Sequence, residues 1–150
     1  MFSRKRDALE LLCTLYVIFK LAKTKGDLAL ESHCEQPEHS PIFVNSSLSK
    51  AEKVVLADSM RLLTLGLDSP DDVERFMVGM FVISVKHTDR MDVIIEAFVA
   101  HCKGYAPQIS IEFARAAFGI KNRPTFQETE EAITNLLLDD YQYKWQHHGK

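Results

Sequence analysis

The sequence predicts an all-α domain, a compact bundle of about six helices with Pro/Gly-rich connections. Three observations point there. Apolar residues recur at spacings of three and four through most of the 150 residues, Pro and Gly break the chain between most of those runs, and capping signals stand at several of their starts. Hydrophobic residues make up 46% of the chain, enough for one domain with a genuine core, so residues 1–150 read as a single helical domain.

The first helix is expected from near Arg6 through Leu21, with Leu9, Leu12, Tyr16 and Phe19 as its clearest stripe. Leu11, Leu15, Val17 and Ile18 make it apolar around most of its girth, which implies burial on several sides or a missing neighbour. Such a helix is also the surface most prone to self-association if it is left uncovered. Gly26 interrupts or kinks the chain before residues 28–33, and Pro37, Pro41 and Asn45 keep the following stretch a loop.

Ser49 and Glu52 have capping-box spacing ahead of a helix marked by Leu56, Met60 and Leu63, which Gly66 ends. Ser69 caps the next helix, Pro70 takes its first position, and Asp71, Asp72 and Glu74 place acid near its positive end. Val73, Phe76, Met77, Met80 and Phe81 carry its pattern, which is lost near Lys86. A helix beginning near Asp89 buries Met91, Ile94, Ile95, Phe98 and Cys102, with Gly104 as its stop.

Pro107 falls near the first turn of a helix over residues 108–118, stopped by Gly119. Ile109, Ile111 and Phe113 alternate as a short strand would, but the continuation Ala-Arg-Ala-Ala favours helix. Thr125 and Glu128 repeat the capping-box spacing before Ile133, Leu136 and Leu137. Residues 141–150 have no period and are expected to be flexible.

Charge is uneven along a chain of net charge −3. Through Gly26, Arg4, Lys5, Arg6, Lys20, Lys23 and Lys25 stand against Asp7 and Glu10, a balance of +4 that leaves −7 for the remainder. Such a basic arm suits an anionic lipid surface, an acidic partner or solvent. No helix-turn-helix pattern, zinc-finger spacing or RNA-binding aromatic motif accompanies it, so nucleic acid is not expected as a partner.

Cys13, Cys34 and Cys102 lack the paired spacing of a disulfide framework or zinc site, which favours a reducing, cytoplasmic setting. The apolar segment after the basic start contains Glu10 and lacks a small-residue cleavage site, unlike a secretory signal. The longest apolar stretches, residues 11–19 and 76–83, are about half of what a bilayer requires, so no transmembrane helix is expected.

Catalytic and metal patterns are absent from the reading. His33, Cys34 and His39, or His101 with Cys102, offer neighbours in sequence whose side chains diverge on a helix. The pairs Asp71–Asp72 and Asp139–Asp140 suit capping or solvent better than acid-base chemistry, and His147 and His148 sit in the tail. Neither a phosphate loop nor a nucleophile elbow is present, so no enzyme and no cofactor is expected.

Two segments resemble a known family. Residues 21–43, LAKTKGDLALESHCEQPEHSPIF, pair a basic helix end with Gly, an apolar-Leu-Glu step and a Pro-bearing loop; residues 104–126, GYAPQISIEFARAAFGIKNRPTF, follow in the expected order. Both resemble the MotA family, the ion-conducting stator subunit of the bacterial flagellar motor. Residues 1–85 are similar to that family's cytoplasmic insertion and residues 89–140 to the tail after its last membrane helix. The membrane pair expected between them has no counterpart, which leaves either an engineered join of two cytoplasmic pieces or a naturally shortened relative.

The resemblance implies a cytoplasmic module at the inner membrane that transmits ion-driven motion, with a MotB-type subunit in an intact complex and the rotor protein FliG as partners, and with possible self-association. Rotor contact falls on Lys23, where the family usually has arginine, and on Glu31. Lysine keeps the charge and loses the planar fork of donors. In a continuous helix eight residues add about 80° beyond whole turns, placing the two on neighbouring faces; a merely solvated helix face is the alternative for both. Tyr105, Pro107, Glu112, Arg115 and Pro124 carry structural or orienting roles, with Glu112 and Arg115 spaced as a helix-surface pair that sets the tail against the insertion-like part. A different class of reading is a freestanding soluble helical protein-interaction module derived from the stator family.

Overall fold

A computed structural model describes residues 2–44, 46–84 and 88–138. Helix α1, Phe2–Lys25, is the centre of the structure rather than an exposed flank. Leu11, Leu12, Leu15, Tyr16, Val17, Ile18 and Phe19 are all buried, on every side of the helix. This resolves the apolar girth seen in the sequence and corrects the expectation that α1 offers a self-association surface. The helix also starts earlier and ends later than its apolar stripe, because basic residues at both ends tolerate helical geometry in solvent. Thr14, buried among these side chains, satisfies its hydroxyl by donating to the Glu10 carbonyl at 2.9 Å.

After α1 comes a 3-10 turn, Asp27–Leu30, a short helix α2, Glu31–Glu35, and a second 3-10 turn, Pro37–His39. Helix α3, Lys50–Thr64, begins with the expected capping box: Glu52 N–H donates to Ser49 Oγ at 3.1 Å, and Ser49 N–H to Glu52 Oε1 at 3.4 Å. Helix α4, Pro70–Ser84, has Ser69 Oγ accepting from Asp72 N–H at 3.4 Å. Helix α5, Asp89–Cys102, buries Met91, Ile94, Ile95 and Phe98, with Cys102 only partly covered.

Helix α6, Pro107–Ala117, absorbs the segment that alternates like a strand. It stops one residue short of the expected end, because Phe118 turns to extended backbone and not because of Gly119. Helix α7, Phe126–Leu138, follows a capping box in which Glu128 N–H donates to Thr125 Oγ1 at 3.0 Å and Thr125 N–H to Glu128 Oε1 at 2.8 Å.

The described residues thus form a compact all-α bundle of seven helices and two 3-10 turns, with no strand among them. The helix beyond the expected six is α2, which forms where Gly26 separates residues 31–35 from α1.

Both parts of the chain contribute to one core. Helix α5 packs along α6 and against α4, while α1 packs on α5, α6 and α7. The ring of Phe19 in α1 meets Phe98 in α5 edge-to-face, with centroids 5.1 Å apart. Polar links cross the same divide: Lys5 Nζ lies 3.0 Å from Glu128 Oε1, and Arg90 Nε donates to Glu52 Oε2 at 2.6 Å. The boundary residue Val85, the pair Asp139 and Asp140, His147, His148 and the whole 141–150 tail lie outside the described residues.

Candidate interaction surface

The basic end of α1 leads into a charged shelf. Gly26 closes the helix with its N–H on the Ala22 carbonyl at 2.9 Å and then takes φ of +89°, a left-handed conformation that side chains with a Cβ disfavour. Its own carbonyl accepts from Ala29 N–H at 3.0 Å, which starts the 3-10 turn. Leu30 is fully buried and pins that turn to the core, while Lys23, Lys25, Asp27 and Glu31 remain exposed.

Lys23 and Glu31 therefore sit on different elements, and the angular relation expected of a continuous helix does not hold. The two stand on either side of the turn. Neither side chain forms an ion pair with another described residue, so both charges face solvent.

Beneath the shelf the anchoring is polar as well as apolar. His33 is buried, and its Nδ1 lies 2.7 Å from Ser40 Oγ, which also accepts from Ile42 N–H at 3.1 Å. Arg61 of α3 reaches Glu35 of α2 at 3.7 Å. Thus α2 is tied to the segment that follows it by His33 and to α3 by Arg61.

Beside the shelf lies a cleft of 370 Å³, lined by Lys23, Asp27, Asp68, His101 and Cys102 over an apolar floor that includes Leu63 and Leu67. His101 is 7% exposed and stacks on Phe19 with centroids 4.8 Å apart; its Nε2 is 3.8 Å from Asp27 Oδ1. Burial holds the His101 pKa below its ordinary value, with Asp27 pulling it up and Lys23 pushing it further down. The Cys102 thiol is pushed up to about 11, first by burial and then by Asp27, so it is neutral and a poor nucleophile.

The sequence pointed to Lys23 and offered His101 only as a weak metal-ligand candidate beside Cys102, while Asp27 and Asp68 carried no signal. The available signal for His101 was its position in the last turn of a helix.

The residues assigned to the tail gather around α6. Arg115 binds Glu112 through both arms, Nε to Oε2 at 2.9 Å and Nη2 to Oε1 at 2.8 Å, and its Nη1 donates to the Pro124 carbonyl at 3.2 Å. The pair forms as the spacing predicts, but it fastens α6 to the turn before α7. The hydrogen bonds of the pair lie within the tail-like part, on a helix that packs against α1.

Arg123, which sequence reading passed over, covers the open end of α6 by donating to the carbonyls of Phe118 and Ala116. Pro107 occupies the first turn of α6 and is buried, as is Pro124. Tyr105 is 39% exposed and stacks on Phe113 with centroids 5.4 Å apart.

All three cysteines are free thiols, and Cys34 Sγ donates to the Glu31 carbonyl at 3.3 Å. The described residues contain no His/Cys/Asp/Glu group arranged to hold a metal ion and no helix long and apolar enough to cross a membrane. Comparison of the chain with models of known protein families, with curated proteins and with solved structures gave no match.

Proposed function

We propose that this chain is a helical protein-interaction module of stator-family descent that docks on a charged protein partner through the shelf formed by Lys23, Lys25 and Glu31. The observation that carries this reading is that charges exposed and without an ion pair among the described residues project from a seated base: buried Leu30 and His33 hold the backbone that carries them. A fixed array of opposite charges steers and orients a complementary surface while contributing little permanent affinity, about 0.2–1 kcal/mol for each exposed pair. Contacts of that size suit repeated engagement and release.

The resemblance of residues 21–43 to the stator family supports FliG as the partner to try first. The fuller stator role, transmission of ion-driven motion beside a MotB-type subunit, would require membrane helices in addition to those described.

The test is association of the purified protein with the charge-bearing domain of FliG at low and moderate salt, for the native chain and for the double reversal Lys23→Glu with Glu31→Lys. Binding that weakens with salt and with the reversal supports the reading. Absent binding, or binding unchanged by the reversal, sinks it.

A further inference from the structure

His101 has features that docking alone leaves unused. Its buried ring joins the last turn of α5 to the 3-10 turn after α1, with Nε2 at 3.8 Å from Asp27 Oδ1, outside hydrogen-bond distance and inside ion-pair range. The other ring nitrogen, Nδ1, is buried with no hydrogen-bond partner among the described residues. Phe19 lies flat against the ring and fixes its plane.

We infer that His101 and Asp27 form a pH-sensitive latch at the base of the shelf, in which protonation of the ring draws the Asp27 carboxylate, and the turn that carries it, toward α5. A neutral imidazole at this separation holds the carboxylate weakly. A proton on the ring creates a charge that burial penalises, and closer approach of an acid offsets that penalty.

The ionisable groups lining the cleft are few. Lys23 of α1 opposes the proton, Asp27 of the turn favours it, Asp68 between α3 and α4 supplies a second carboxylate, and Cys102 on α5 stays neutral. Asp27 is the acid beside the ring, and it belongs to the turn set between Lys23 and Glu31. Proton binding at His101 is thereby coupled to the spacing of Lys23 and Glu31 in the shelf. The latch is a property of the free protein; its regulatory meaning rests on the docking reading.

The experiment is an NMR titration of the full chain without a partner, following the His101 ring and the amides of residues 27–30 in the native protein, Asp27→Asn and Lys23→Gln. The native midpoint is expected below 6.5, moving down in Asp27→Asn and up in Lys23→Gln, with the turn amides shifting at the midpoint of the ring. Equal midpoints in all three proteins, turn amides that ignore the ring, or loss of the whole fold at the midpoint would each overturn the latch. Because no partner is present, this result stands apart from the success or failure of FliG binding.

Discussion

Arg90 of α5 grips Glu52 of α3 with two hydrogen bonds, Nε to Oε2 at 2.6 Å and Nη2 to Oε1 at 3.1 Å, while the same carboxylate closes the capping box at Ser49. One side chain thus ends the loop before α3 and ties that helix to α5. Both partners are mostly shielded, with side chains 24% and 17% exposed, which favours a pair of stable geometry over a solvated one.

That dual role predicts unequal losses. Arg90→Ala removes the pair alone, whereas Glu52→Ala removes the pair and the reciprocal half of the capping box, leaving the Ser49 cap in place, and is expected to cost more by about 0.5 kcal/mol. A double-mutant cycle by urea unfolding should give a coupling of about 1 kcal/mol. Strict additivity would mean that the pair contributes nothing.

At Leu15 the expected loss is larger. This residue is fully buried on the central helix, so Leu15→Ala leaves a cavity facing its neighbours and should destabilise by about 2–5 kcal/mol. An exposed stripe would give almost no change, so equilibrium unfolding of this one variant reports whether α1 is covered.

Gly26→Ala tests the helix stop. No atom lies within 4 Å of where the new Cβ would sit, so the cost comes from the left-handed backbone at φ +89° and not from a clash. About 1–2 kcal/mol of destabilisation is expected in thermal melts. An unchanged or raised melting temperature would mean that α1 continues into residues 27–31, restoring the continuous-helix relation of Lys23 and Glu31.

Stability should also depend on pH through His101. Its folded pKa is depressed, so between that value and the ordinary 6.5 the unfolded chain binds more protons than the folded one. The contribution is complete above 6.5 and is lost as pH falls through 6.5 toward the folded value. His101→Phe keeps a ring against Phe19 and removes the titration, so its melting temperature should fall less between about pH 7 and pH 5 than that of the native protein. Parallel curves would show that the buried ring carries no proton linkage.

Local chemistry made much of this fold legible in the sequence. Ser49 with Glu52 and Thr125 with Glu128 form their boxes as spaced, and Gly26 and Gly104 end their helices with φ near +90°. Relations across the chain were not legible. Periodicity showed α1 to be apolar around its girth without showing what covers it, and only the packing of α5, α6 and α7 answers that.

The site follows the same division. Lys23 and Glu31 stood out through resemblance, and Glu112 and Arg115 through helical spacing. The nearness of His101 to Asp27 arises from tertiary packing across 74 positions of sequence, which no local pattern encodes.

Both parts of the chain pack around α1, and that shared scaffold holds the charged shelf in place. Native-state hydrogen exchange tests it most directly, by comparing the slowest amides of α1 with those of α6. Both sets are expected to exchange through the same global unfolding, with equal free energies and equal responses to denaturant. Early exchange throughout α6 while α1 stays protected would contradict it.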